Sequence, residues 1–186
     1  MTEFKYSIDS DGVAIISWDV PNKTMNVMSL EGLKELDKHF DAALSDDRVK
    51  GIIVTSGKRD FAGGMDLNVL ADMKTAQGEN PAQGLFNGIM QIHKLLRKIE
   101  LAGMDPKTKK GAKPVAAAIN GTAAGIGLEL PLACHRIFAI DNEKSKIGLP
   151  EILVGIFPGA GGTTRLVRKL GAMNAAPFLL EGKMLS

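Results

Sequence analysis

The sequence is poor in cysteine, in aromatic residues and in net charge. Its 186 residues include one cysteine, Cys134, so no disulfide can form within the chain, and a reducing compartment fits it. Aromatic residues make up 5% of the chain, and the formal net charge is +2. A charge this small does not indicate bulk electrostatic binding to nucleic acid or to an anionic membrane surface.

Long apolar runs and targeting patterns are also missing. No stretch reaches the ~20 apolar residues that a membrane-spanning helix needs. The opening segment, residues 1–12, is acidic and polar, unlike a secretory signal or a transit peptide. We therefore expect no membrane span and a cytoplasmic location, most readily in a bacterium, with an organellar matrix as the alternative.

Patterns for metal, nucleotide and nucleic-acid binding are absent as well. His39, His93 and His135 are scattered, and Cys134 beside His135 is a weak signal, so we predict no metal site. The lysines between 107 and 113 have no interleaved aromatics, which indicates a solvated loop and no nucleic-acid partner. The phosphate loop and the GxSxG nucleophile elbow do not occur, and the dinucleotide fingerprint is missing from its usual setting.

Apolar periodicity predicts an α/β chain. Asp11-Gly12 between two short β-forming segments indicates a hairpin, and Ser29 has the character of a helix cap. The apolar spacing after Ser29 is helical. The predicted strands are 4–8, 13–18, 51–57, 115–120 and 137–141; the predicted helices are 30–44, 67–74, 85–99, 128–135 and 163–170; and the predicted loops include 76–84 and 101–114.

Two glycine turns each follow a buried strand and precede a helix: FAGGMDL (61–67) and GTAAGIG (121–127). Glycine permits close backbone approach, and amides at a helix N-terminus carry partial positive charge. Two such turns side by side could aim two N–H groups at one oxygen atom, as in an oxyanion hole. For either turn alone, an ordinary strand-to-helix turn without a ligand is the better interpretation.

Two glutamates stand among apolar neighbours. Glu129 opens the predicted helix LELPLAC and is expected to be half buried, and Glu151 follows Pro150. Burial raises a carboxyl pKa towards the range useful in acid–base catalysis. Each acid alone is better explained as a helix N-terminal residue, whereas the pair favours a catalytic hypothesis. The glycine-rich stretch 155–163 must be a fixed, closely packed turn, either against a ligand or at a core corner.

Three motifs carry a family resemblance: FAGGMDL (61–67), AAINGTAAGIGLELPLACH (117–135) and GLPEILVGIFPGAGGTTRL (148–166). In order and spacing they resemble the enoyl-CoA hydratase/isomerase (crotonase) superfamily. The lengthened loop around 101–113 is most similar to the N-terminal hydratase region of the multifunctional fatty-acid oxidation complex α-subunit. The resemblance implies one crotonase-like spiral of ββα units over 1–186. Because 179–186 resembles the stretch before the family's C-terminal helices, we expect a truncated piece of a longer chain.

The resemblance also implies roles for the site residues. Met65 and Ile126 are the expected backbone donors of the oxyanion hole. Ile126 stands where glycine is usual, so its side chain is expected to narrow the pocket or shift the turn. Glu129 is the expected general base on the water that attacks the β-carbon, and Glu151 the expected proton donor to the α-carbon.

Coenzyme A contacts are implied in the loop before the first helix and in the first glycine turn. Lys23 suits a phosphate, although an ordinary surface lysine explains it as well. Coenzyme A is part of the substrate, so no separate cofactor is expected. The implied contact residues are Lys23, Thr24, Met25, Gly63, Asp66 and Leu67.

The implied reaction is the addition of water to a trans-2-enoyl-CoA in fatty-acid β-oxidation. Two alternatives stay open: Δ3–Δ2-enoyl-CoA isomerisation, with one glutamate moving a proton, and an acyl-CoA-binding fragment without turnover. The expected partner is the acyl-CoA or enoyl-CoA thioester. For the full-length protein, the resemblance also implies a homotrimer or association with a thiolase β-subunit.

Overall fold

The computed structural model describes residues 2–66, 68–69 and 80–186. In those residues the strands are β1 (Phe4–Ile8), β2 (Val13–Trp18), β3 (Gly51–Ser56), β4 (Val115–Ile119), β5 (Ala123–Ala124), β6 (Arg136–Ala139), β7 (Ile147–Gly148) and β8 (Met184–Leu185). The helices there are α1 (Leu30–Ser45), α2 (Pro81–Leu101), α3 (Ile126–Ala133), α4 (Gly162–Leu170) and α5 (Ala172–Leu180), with a 3-10 helix over Pro150–Val154.

Two sheets organise the chain. The larger has the order β1-β2-β3-β4-β6, with β1 and β2 antiparallel and the remaining pairs parallel. The smaller has the order β5-β7-β8. Parallel neighbours end at the same sheet edge, so the segments that leave β3 and β4 start side by side. These segments carry the two glycine turns.

The core lies between the larger sheet and the helices that connect its strands. Trp18 is fully buried, stacks on Phe4 with 5.3 Å between ring centroids and meets the edge of Phe61 at 6.2 Å. Leu36 and Phe40 of α1 are also fully buried. Their one-turn spacing is the apolar stripe that predicted this helix.

The hairpin and the first helix confirm the sequence predictions. Asp11-Gly12 joins β1 to β2, and Gly12 has a positive φ of 83° that suits glycine. Ser29 caps α1 because its Oγ accepts a hydrogen bond from the amide of Gly32 at 2.8 Å.

The start of α2 differs from the prediction. The sequence predicts a loop over 76–84, yet residues 81–84 form the first turn of the helix. Asn80 Oδ1 accepts from the amide of Gln83 at 3.0 Å, and Pro81 occupies the first turn, where its missing N–H has no cost. Asn80 and Pro81 are residues typical of loops, but here they start a helix. The predicted helix 67–74 and loop residues 76–79 lie almost wholly outside the described residues.

The segment after β4 also departs from the prediction. Helix α3 begins at Ile126 and ends at Ala133, two residues earlier at each end than predicted. The strands β5, β7 and β8 have two residues each, too few to show a period of two. The sequence patterns also do not predict helix α5, because Gly171 directly precedes it and Pro177 interrupts its apolar sequence.

Asn26 links the loop after β2 to the first glycine turn. Its side chain is fully buried; Nδ2 donates to the carbonyls of Trp18 and Phe61 at 2.9 and 3.0 Å, and Oδ1 accepts from the amide of Val20 at 2.9 Å. Its own carbonyl accepts from the amide of Gly63 at 2.8 Å. One buried amide therefore holds both ends of the loop.

Asn26→Ala is expected to lower the free energy of unfolding by about 2–4 kcal/mol, because it leaves the Val20 amide and the Phe61 carbonyl without their partners. Urea denaturation measures this change. The control is Asn87→Ala at an exposed position of α2, expected within about 0.5 kcal/mol of wild type. Equal denaturation midpoints for the two variants would contradict the role assigned to Asn26.

Candidate active site

The two glycine turns lie against each other. Ala62 and Ala123 form a parallel bridge, in which the Ala62 amide donates to Thr122 at 3.0 Å and the Ala124 amide donates to Ala62 at 3.0 Å. A Cβ on Gly127 would lie 2.7 Å from the Cβ of Ala62. Only glycine at 127 permits this approach, so the turns pack backbone to backbone.

The amides of Met65 and Ile126 are the expected donors of the oxyanion hole. Met28 bonds to the carbonyl of Gly64 and the amide of Asp66, each at 2.9 Å, so the N–H of Met65 faces the opposite side. Ile126 is the first residue of α3, and its N–H has no acceptor within the helix. Neither amide donates to an acceptor in the part of the chain that the structure describes. The Ile126 side chain is buried in the core.

Gly125 makes the second turn possible. Its φ of 56° and ψ of −128° lie in a region that other residues rarely adopt, and they turn the chain from β5 into α3. A Cβ on Gly125 would lie 3.2 Å from Oε1 of Glu151. The second turn is therefore in direct contact with one of the two glutamates.

Glu129 is more buried than the sequence predicted. It lies in the first turn of α3 with 3% of its surface exposed, rather than half buried. Its Oε1 accepts hydrogen bonds from the amides of Ala160 at 2.9 Å and Gly162 at 2.8 Å. The pKa of Glu129 is raised to about 7: burial is the largest cause and the negative charge of Glu151 adds to it, whereas the two amides and the positive charge of Arg165 oppose the rise.

Glu151 approaches the same place from the 3-10 helix. Burial raises the pKa of this carboxyl above its usual value. Its Oε2 is buried and has no hydrogen-bond partner among the described residues. A buried oxygen without a partner is costly, so this atom is well suited to a water molecule or a reacting group.

The glycine-rich turn 155–163 packs against the candidate site. Two of its backbone amides hold Glu129, so it contacts a candidate catalytic group. Sequence reasoning missed Ala160 and Gly162, because a backbone donor is not marked by its residue type. The structure thus brings together the turns of Met65 and Ile126 and the two acids, Glu129 and Glu151.

The coenzyme A candidates lie in the first turn and in the loop before α1, which contact each other. Lys23 Nζ pairs with Asp66 Oδ2 at 2.7 Å, and this bond lowers the pKa of Asp66. A Cβ on Gly63 would lie 2.7 Å from Sδ of Met25, so the methionine packs on that glycine. Lys23 and Thr24 are exposed. Leu67 lies outside the described residues.

The raised pKa of Glu129 predicts a pH-dependent stability. The folded protein holds this proton more tightly than the unfolded chain, so the contribution is complete below pH 4.5 and is lost as the pH rises through 7. Glu129→Gln removes the titration. Relative to wild type, its free energy of unfolding should therefore rise by about 2–3 kcal/mol between pH 4.5 and pH 8, at 1.36 kcal/mol per pKa unit. Urea denaturation at both pH values tests this, and parallel pH dependences would contradict it.

Within residues 2–66, 68–69 and 80–186, no three histidine, cysteine or acidic side chains are placed to hold a metal ion. No helix in that same part of the chain combines the length and apolarity needed to cross a membrane.

The family model described as enoyl-CoA hydratase/isomerase matches residues 9–186. The chain belongs to this family. It is 37% identical over 183 residues to the fatty acid oxidation complex subunit alpha of Shewanella frigidimarina. That alignment covers 98% of the chain and 24% of the relative, so the chain spans about a quarter of that protein's length.

Solved structures of this enoyl-CoA hydratase/isomerase family share the fold. An enoyl-CoA hydratase of Geobacillus kaustophilus is 29% identical, with a TM-score of 0.83, over 100% of this chain and 63% of that one. The enoyl-CoA hydratase of Bacillus anthracis is 28% identical, with a TM-score of 0.80, over 100% of this chain and 65% of that one. The predicted family and the predicted crotonase-like α/β fold are confirmed.

Proposed function

We propose that this domain adds water to trans-2-enoyl-CoA thioesters in fatty-acid β-oxidation. The observation that carries the proposal is a pair of carboxyls, Glu129 buried and Glu151 half-buried, both with raised pKa and both adjoining the second glycine turn. Isomerisation needs one acid to move a proton, whereas hydration needs one group to activate water and another to protonate carbon.

The two turns stabilise the negative charge that forms on the thioester oxygen during the reaction. The thioester carbonyl oxygen accepts hydrogen bonds from the amides of Met65 and Ile126. As water attacks the β-carbon, electrons move from the double bond to this oxygen and an enolate forms. Fixed backbone donors stabilise that charge without reorganisation, and removing one such donor typically costs about 10²–10³ in rate.

The two acids move the protons. Ionised Glu129 takes a proton from the water while the new C–O bond forms. Protonated Glu151 gives its proton to the α-carbon as the enolate collapses to the thioester. The next cycle needs a proton to pass from Glu129 back to Glu151. A pKa of about 7 suits Glu129 to this work near neutral pH.

Substrate binding is assigned to the first turn and the loop before α1. We propose that Lys23 contacts a phosphate of coenzyme A, next to Thr24 and Met25, and that Gly63, Asp66 and Leu67 lie near the adenine. Coenzyme A enters and leaves as part of the substrate. A cytoplasmic location and a homotrimer or a thiolase partner of the full-length protein stay predictions.

Three substrates separate the candidate activities. The purified chain is given crotonyl-CoA, a longer 2-enoyl-CoA and a 3-enoyl-CoA, and the conjugated enoyl absorbance is followed; binding of a saturated acyl-CoA is measured by calorimetry. Loss of absorbance with the 2-enoyl substrates is the expected result. A gain of absorbance with the 3-enoyl substrate alone would indicate an isomerase. Binding without any turnover would contradict the proposal and leave an acyl-CoA-binding domain.

A further inference from the structure

Arg165 is a buried charge outside the proposed chemistry. It lies on α4 with 9% of its surface exposed. Its Nε donates to Oε1 of Glu100 on α2 at 2.8 Å, and its Nη1 donates to the carbonyl of Ala160 at 2.8 Å. Arg97 bonds the other oxygen of Glu100 at 3.0 Å. Buried charges are tolerated when they are paired and hydrogen-bonded, as this guanidinium is.

Arg165 bonds to the turn 160–162, which also bonds to Glu129. The carbonyl of Ala160 accepts a hydrogen bond from Arg165, and the amide of Ala160 donates one to Oε1 of Glu129. A Cβ on Gly161 would lie 2.5 Å from Nη1 of Arg165, so the guanidinium packs directly on the turn. One face of this three-residue turn therefore contacts Arg165, and the amides of Ala160 and Gly162 face the carboxyl.

We propose that Arg165, anchored by Glu100, is a positioning residue: it fixes the turn 160–162 so that two amides stay aimed at one oxygen of Glu129. The inference rests on the proposed hydration. Arg165 itself touches no reacting atom in this scheme. The competing explanation is a structural ion pair that merely joins α2 to α4.

The two roles differ in what they change. The amides of Ala160 and Gly162 stabilise ionised Glu129, so a loosened turn shifts the acidic limb of the pH–rate profile to higher pH. The charged groups that act on Glu129 are Glu151 and Arg165, and those bonded around Arg165 are Glu100 and Arg97. Loss of the guanidinium's positive charge moves the limb in the same direction. A structural ion pair that does not position the turn would change the unfolding transition, leave kcat near the wild-type value, and leave the profile in place in Arg165→Lys, which retains the charge.

The experiment compares Arg165→Met, Arg165→Lys and the control Arg168→Met, which removes an exposed arginine from the same helix. Hydration of crotonyl-CoA is measured from pH 5.5 to 9. For Arg165→Met we expect kcat to fall ~10–100-fold with KM within ~3-fold, because misplacing a catalytic group by ~1 Å costs about 10². We also expect its acidic limb to shift upward. Arg165→Lys should recover part of kcat, and Arg168→Met should match wild type.

A folded Arg165→Met protein with wild-type kcat and an unmoved pH profile would overturn the proposal. If that variant does not fold, Glu100→Gln is the second test, since it removes the anchor while retaining shape. It should shift the acidic limb in the same direction, and a wild-type profile from it would overturn the proposal. An inactive wild-type chain would instead count against the hydration itself, so the two failures are distinguishable.

Discussion

Glu129→Gln is expected to lower the turnover of a 2-enoyl-CoA by about 10³-fold, within the range that general acid–base catalysis contributes. An amide cannot take the proton of the attacking water. Its carbonyl oxygen can still accept from Ala160 and Gly162, so the turn and the fold should be retained. The measurement is kcat for crotonyl-CoA hydration, together with the urea midpoint at the same pH.

The matched control for this prediction is Glu143→Gln, which makes the same chemical change at an exposed position. Its turnover should stay within about twofold of wild type, because surface substitutions away from a site have small effects. If Glu129→Gln kept a rate similar to that of the control, Glu129 would not be the general base.

Gly162→Ala is expected to lower turnover by about 10²-fold with little loss of stability, since a ~1 Å displacement of a catalytic group costs about that much. The new Cβ would lie 2.9 Å from both Cγ and Oε1 of Glu129 and 3.1 Å from Leu149. The carboxyl must therefore move. Alanine is a better helix former than glycine, and Gly162 is the first residue of α4, so the fold itself is not opposed.

Gly159→Ala is the control from the same turn. Its nearest atom, the carbonyl oxygen of Phe157, would be 3.8 Å away, an ordinary contact. Both variants are assayed for crotonyl-CoA hydration and for thermal unfolding. Gly159→Ala should keep kcat within about twofold of wild type, and equal losses from the two variants would show that the effect does not act through Glu129.

Local signals in the sequence predicted much of the fold. Asp11-Gly12 marked the hairpin, and Ser29 with the apolar spacing of Leu36 and Phe40 marked α1. The start of α2 was missed because Asn80 and Pro81 suit a loop as well as a helix cap. The two-residue strands of the second sheet exist only through pairing with distant segments, which no local pattern reveals.

In the candidate site, too, local sequence predicted some features, whereas others depend on contacts between distant residues. Glu129 and Glu151 were predicted because acids among apolar neighbours stand out and because their motifs resemble a family. The depth at which Glu129 is buried was underestimated, since it depends on the turn 160–162 folding over it. The contacts from Glu100 to Arg165 and from Gly162 to Glu129 join residues 65 and 33 positions apart. Such contacts become visible only in three dimensions.

The most direct test of the shared role of Glu129 and Glu151 is kcat/KM for crotonyl-CoA hydration by wild type, Glu129→Gln, Glu151→Gln and the double variant. Each single change should cost about 10²–10⁴, the contribution of a general acid or base. The double variant should be little worse than the poorer single one, because residues that act as a unit are strongly non-additive. Single variants within threefold of wild type, or losses that multiply in the double variant, would contradict a pair of acids that act as one unit.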